Sequence, residues 1–196
     1  MNMGRAAVLE QFRWVEGHAD VWRVFADADA LRDVVEGLAA PWRDVGVSRV
    51  VGIESRGFLL GGATAVALGV GFIGIRKAGT GLLPGAKVRA TAAEDYRNQR
   101  HDLRMQSILH SGDRVLMVDD WAERGSQASA ARDLVKMCDA EWLGLSLVVD
   151  QLLPETRLAL GRVTALVHAH ELGSSSGEAP HRAFPEAAHA RVGRRP

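Results

Sequence analysis

Five apolar runs rich in Val and Ile, at residues 49–54, 71–76, 114–119, 143–149 and 162–167, alternate with longer stretches whose apolar residues recur at helical period. Parallel strands need a long crossover between them, usually a helix, so this order restricts the chain to an α/β fold. The expected architecture is an open, mostly parallel twisted sheet flanked by helices. The first, third and fourth runs are continuously apolar, as strands buried on both faces are. Helical periods cover residues 30–40, 58–68 and 126–138. Between Lys77 and Met105 the pattern weakens: residues 78–85 read as a Gly/Leu/Pro loop, and 87–90 and 102–105 as two short strands of a ribbon.

The 196 residues suffice for one full domain and are too few for two, and 47% are hydrophobic, enough for a sizeable core. Lys plus Arg equal Asp plus Glu at 24 each, so no global field draws the chain to nucleic acid or to an anionic membrane. No apolar run reaches membrane-spanning length, and Glu10, Arg13 and Glu16 interrupt the apolar core that a signal peptide needs. The single cysteine, Cys138, lies in an apolar helical stretch and reads as a packed thiol in a reducing compartment, so a cytoplasmic location is expected. From Gly173 onward the apolar period disappears into a Gly/Ser/Pro/Arg-rich segment. Residues 1–172 are therefore expected to be the folded domain and 173–196 a disordered tail.

The most informative stretch is Val115-Leu116-Met117-Val118-Asp119-Asp120-Trp121-Ala122-Glu123-Arg124-Gly125-Ser126-Gln127. A buried strand runs into two adjacent acids, then a short loop, then a helix. In open parallel sheets ligands bind at the carboxyl ends of strands, and a helix beginning there turns its free N–H groups and positive dipole end toward the site. Gly125 allows close backbone approach to a phosphate, Ser126 supplies a hydroxyl, and the two carboxylates suit ribose hydroxyls, directly or through Mg2+. A plain helix cap with a surface strand end explains the same residues about as well.

The stretch resembles the 5-phosphoribosyl-1-pyrophosphate (PRPP) motif of type I phosphoribosyltransferases. Three further segments match that family in the same order, closest to adenine phosphoribosyltransferase. Glu54-Ser55-Arg56-Gly57-Phe58 resembles its Ser-Arg-Gly-Phe turn. Arg76-Lys77, followed by Leu83-Pro84-Gly85, resembles its Arg-Lys and Leu-Pro-Gly stretch. Trp22-Arg23-Val24-Phe25 stands where the family has Phe-Arg-Asp-Ile. The match runs over residues 19–172.

The resemblance implies a phosphoribosyltransferase fold with a small hood, and an enzyme joining a purine-like base, adenine first, to PRPP with release of pyrophosphate. Mg2+ would be the cofactor and a homodimer the assembly. Carried over position by position, Ser55, Arg56, Asp119, Asp120, Arg124, Gly125, Ser126 and Gln127 would bind PRPP, with Asp119 and Asp120 also facing the metal, directly or through water. Arg56, Arg76 and Lys77 would stabilise the departing pyrophosphate, and the Ser55 turn would carry a cis peptide. Residues 79–85 would form a lid. In the family a Glu-Tyr pair places a carboxylate near the base nitrogens; aligned on Tyr96, that acid is Asp95, with Glu94 beside it. Trp22 and Phe25 would line the base pocket, and Asp150-Gln151-Leu152 would close the hood.

One segment departs from the family. Its phosphate loop usually reads Ala-Thr-Gly-Gly-Thr, and here the positions are Glu123-Arg124-Gly125-Ser126-Gln127. Both threonine hydroxyls are lost, Arg124 and Gln127 stand in their places, and Glu123 brings a negative charge to a phosphate site. The altered loop keeps a second reading open, a non-catalytic protein of the same fold that senses PRPP or a nucleotide. The intact Ser-Arg-Gly-Phe turn, Arg-Lys pair and double acid favour the enzyme.

Overall fold

The computed structural model describes residues 2–79, 83–93 and 102–173. Asp95, its neighbours Glu94 and Tyr96, the middle of the expected lid and residues 174–196 of the expected tail lie outside the described residues.

The chain opens with α1 (Met3–Gln11), the short hairpin β1 (Arg13–Val15) and β2 (His18–Asp20), and α2 (Trp22–Ala26). Helix α3 (Ala28–Ala39) starts where the Asp27 side chain accepts from the Ala30 amide at 2.8 Å, which satisfies one of the donors every helix start leaves open. There follow β3 (Arg49–Ile53), α4 (Arg56–Leu68), β4 (Gly71–Lys77), β5 (Lys87–Thr91), β6 (Asp102–Gln106), β7 (Arg114–Ala122), α5 (Ser126–Lys136), β8 (Glu141–Asp150), α6 (Pro154–Leu160) and β9 (Arg162–His168). All five predicted strands, the three predicted helices and the ribbon are present. The first two helices and α6 were not expected, because each is short and carries little apolar period.

Seven strands form one sheet in the order β5-β6-β4-β3-β7-β8-β9. The run from β4 to β9 is parallel, and β6 and β5 add antiparallel on one edge, giving the open, mostly parallel sheet. Alternation along β7 shows why its central run, Val115 to Val118, is uniformly apolar. Val115 and Met117 pack toward α5 and α6, while Leu116 and Val118 pack toward α1, α3 and α4. Both faces are dry there, so no position in that run favours a polar residue. A polar thread on the second face is satisfied internally: Trp42 Nε1 donates to Thr164 Oγ1 at 2.9 Å, and Ser146 Oγ donates to the Leu38 carbonyl at 2.9 Å.

One expectation about β7 is corrected. The strand does not stop at Asp119 but continues to Ala122, because pairing with β8 extends through Trp121↔Val149 and Ala122↔Asp150. Both acids and Trp121 are therefore fixed within a strand, and only Glu123 to Gly125 form the loop.

Candidate active site

Strand β7 pairs with β3 only as far as Met117, although it pairs with β8 to its end. A crevice opens where β3 stops. From β3 the chain crosses through α4 to β4 on one side. From β7 it crosses through α5 to β8 on the other, and the two helices lie on opposite faces. Their N-termini converge at this reversal of strand order, the general position for ligand sites in such sheets. A cavity of about 890 Å3 fills the crevice.

Its floor carries the acids. Asp120 is buried, 5% exposed, and its Oδ2 lies 3.0 Å from Arg56 Nε at the start of α4. Asp119 Oδ1 accepts the Asp120 amide at 2.9 Å. Burial and the neighbouring Asp120 charge hold the Asp119 carboxyl well above the usual carboxylate range. Burial also raises Asp120, with Arg56 working against it. An acid pair so placed favours a cation or hydrogen-bond donors arriving with a ligand. Helix α4 comes this close because Gly57 has no side chain: a Cβ there would lie 3.2 Å from Asp119 Oδ1. The peptide between Glu54 and Ser55 is cis, as the resemblance implied.

The segment from Glu123 to Gln127 forms one wall. Gly125 has φ +69° and precedes α5 with no side-chain cap, and the first helical bond runs from the Ser129 amide to the Gly125 carbonyl at 2.9 Å. The amides of Ser126, Gln127 and Ala128 precede that bond, and these residues line the cavity. Arg124 lines it too, and also a neighbouring cavity of about 560 Å3 on the α5–α6 side.

Of the predicted residues, Ser55, Arg56, Lys77, Asp119, Asp120, Arg124, Gly125, Ser126 and Gln127 meet in this one cavity. Three do not. Arg76 and Lys77 are consecutive in β4, so their side chains leave opposite faces of the sheet. Lys77 lines the cavity, whereas Arg76 contacts Glu54 at 3.3 Å and lies over the Phe58 ring at 6.0 Å. Glu54 Oε1 accepts the Lys77 amide at 2.5 Å, so Arg76 touches the site through Glu54. Trp22 and Phe25 are the other two. Helix α2 turns Phe25 into the core and leaves Trp22 53% exposed, edge-on to it at 6.0 Å, and neither lines the cavity.

The aromatic wall is instead Trp14 from β1 and Trp121 from β7, with ring centroids 6.1 Å apart. Phe12 packs against both, at 5.4 and 6.2 Å. Gly17, His18 and Ala19 of the hairpin complete that side, and Gln151 faces it from the end of β8. This is the hood, drawn from the N-terminal hairpin and from the ends of β7 and β8. Sequence reasoning passed over Trp14 and Trp121, although one signal was present: Phe12 and Trp14 flank Arg13 with the period of a strand.

Among the described residues no three His, Cys, Asp or Glu side chains cluster to cage a metal. Two adjacent carboxylates suit Mg2+ well, since that ion takes one or two protein carboxylates and completes its shell with water and substrate phosphates.

No protein-family model matches the chain. Among curated proteins, the adenine phosphoribosyltransferase of Nocardioides sp. is 41% identical over 148 residues, covering 74% of this chain and 78% of the relative. That of Paracoccus denitrificans is 40% identical over 136 residues, covering 69% of this chain and 70% of the relative. Among solved structures, adenine phosphoribosyltransferase of Rhodothermus marinus superposes with a TM-score of 0.74 at 27% identity, over 84% of this chain and 98% of its own. The Saccharomyces cerevisiae protein, solved with an imino-altritol bisphosphate and adenine, gives 0.73 at 28% identity over 85% and 99%. Long sequence matches and matching folds agree, and the chain belongs to the adenine phosphoribosyltransferase family.

Proposed function

We infer that the protein is a Mg-dependent phosphoribosyltransferase that joins adenine to PRPP, forming AMP and releasing pyrophosphate. The observation that carries this reading is the crevice between β3 and β7, where two helix N-termini, two acids, Arg56 and Lys77 share one cavity beneath an aromatic hood. Relatives at about 40% identity are named for this reaction, and the yeast relative was solved with adenine bound. The non-catalytic alternative draws no support from them.

In the reaction a ring nitrogen of adenine bonds to C1 of the ribose as the C1–O bond to pyrophosphate breaks. The base gives up its N9 proton, and the resemblance assigns the nearby carboxylate to Asp95. The protein positions the reactants and stabilises charge. Asp119 and Asp120 would hold the ribose hydroxyls and Mg2+, which screens the pyrophosphate. The α5 amides with Arg124, Ser126 and Gln127 bind the 5-phosphate. Ser55, Arg56 and Lys77 hold the pyrophosphate, and Arg76 acts on it through Glu54. A cytoplasmic homodimer completes the proposal, on the family resemblance.

Pyrophosphate release with PRPP, Mg2+ and a panel of bases tests the reaction, and adenine is expected to give the fastest release. Replacing both acids (Asp119→Asn with Asp120→Asn) should weaken Mg·PRPP binding by about tenfold or more, or about 1.4 kcal/mol. Unchanged affinity by calorimetry would remove the central assignment.

A further inference from the structure

We propose that Gln151 is the residue that recognises the base, donating from its carboxamide N–H groups to a ring nitrogen of the purine, and that Trp121 sets the orientation of that carboxamide. The inference rests on the adenine-transfer reading above and specifies how that site selects its base.

Trp121 follows the two acids within β7, and its side chain is wedged against Phe12 and Trp14. The Trp14 ring is itself fixed, its Nε1 donating to the Leu172 carbonyl at 3.1 Å. From this position Trp121 Nε1 donates to Gln151 Oε1 at 2.8 Å. An indole N–H is a donor only, so the amide must turn its oxygen toward the ring and its Nε2 away. The backbone around Gln151 is pinned on both sides. Its own amide donates to the Ala122 carbonyl at 2.9 Å, and the Leu152 amide donates to buried Asp150 at 2.9 Å. Asp150 in turn is ion-paired with Arg157.

Gln151 lines the cavity beside Trp121, and among the described residues its Nε2 makes no hydrogen bond. A ligand group meeting Nε2 must therefore be an acceptor. Adenine offers N1, N3 and N7 as acceptors, and its exocyclic amine only as a donor. The amine is then read elsewhere, and Gln151 reads a ring nitrogen. A site built to donate rejects an analogue that lacks the acceptor, because the donor loses its water and gains nothing in exchange.

The test uses Gln151→Met, which keeps length and shape without donors, and Trp121→Phe, which keeps an aromatic face without the N–H. Gln151→Met should raise KM for adenine about tenfold, the scale of one lost hydrogen bond, and leave KM for PRPP unchanged. Trp121→Phe should raise KM for adenine less, and the double variant should be no worse than Gln151→Met alone, as expected of residues acting through one contact. With native protein, one of 1-, 3- or 7-deazaadenine should bind more weakly than adenine, and that deficit should vanish in Gln151→Met. Equal KM for adenine in native and Gln151→Met protein, or a deaza deficit that persists in the variant, overturns the inference while leaving adenine transfer standing. Native protein that neither releases pyrophosphate with adenine nor binds AMP by calorimetry overturns both.

Discussion

Arg124 occupies a threonine position of the family's phosphate loop and sits where two cavities meet, against the first turn of α5. A guanidinium offers a planar fork of donors and a full charge where threonine offered one hydroxyl, so it can replace that contact and add attraction over distance. Arg124→Ala should weaken binding of ribose 5-phosphate and AMP by about tenfold or more, the scale of one hydrogen bond to a charged group. The native affinity should fall as salt is raised. Arg124→Thr should retain binding. Alanine-variant affinities equal to native in calorimetry would mean that the α5 amides and Ser126 hold the phosphate without it. The acid pair shows how sequence and structure divide at this scale. That two acids follow an apolar strand is plain from the chain. That Asp120 turns to Arg56 while Asp119 accepts its neighbour's amide depends on where α4 begins.

At the scale of elements, the join between β7 and α5 depends on Gly125. Its φ of +69° is one that other residues adopt only at a cost, and a Cβ there would meet Thr156 Cγ2 at 2.6 Å and Leu152 Cδ2 at 2.9 Å. The glycine serves the packing of the loop against α6 as well as, in the proposed function, the approach of a phosphate. Gly125→Ala should therefore lower stability by about 1–3 kcal/mol in denaturant unfolding and weaken phosphate binding with it. A variant of native stability would show that α6 yields easily. Strands buried on both faces and the amphipathic α3 were legible because their patterns repeat. Helix α2 spans only Trp22–Ala26, too short for a period to register, so Trp22 and Phe25 were assigned to the base pocket by alignment with the family. The wall is supplied instead by a hairpin and by a strand that runs on past Asp119 to Ala122.

Over the whole molecule, the hood exists because the two ends of the domain meet. Arg5 of α1 grips Glu171 through two contacts of 3.0 and 2.6 Å, and Glu171 also accepts the His168 amide. The Arg5 guanidinium, with that amide, lowers the Glu171 carboxyl from an ordinary 4.5 to about 2. Between those values the folded chain binds fewer protons than the unfolded one. The tie thus contributes fully above about pH 4.5 and is lost as pH falls toward 2. Glu171→Gln should lower Tm at pH 6 by an amount matching about 1 kcal/mol or less, since the pair is partly exposed, and the gap should close toward pH 2. A gap that stays constant with pH would assign the loss to packing. The proposed homodimer is checked by light scattering at micromolar concentration, where a monomer mass counts against it.

The sequence by itself determined the α/β class, the mostly parallel sheet and the residues that meet where β7 leads into α5. Those features rest on local rules: apolar periodicity, helix starts, and a motif contiguous in the chain. Only the tertiary structure decided the aromatic end of the cavity. Trp14 lies more than a hundred residues before Trp121 and Gln151, and the three become neighbours because β7 pairs with β8 to its end while the N-terminal hairpin folds over the ends of both strands. It likewise parted Arg76 from Lys77, since consecutive residues of a strand face opposite ways and only the sheet's neighbours decide which face opens on the cavity.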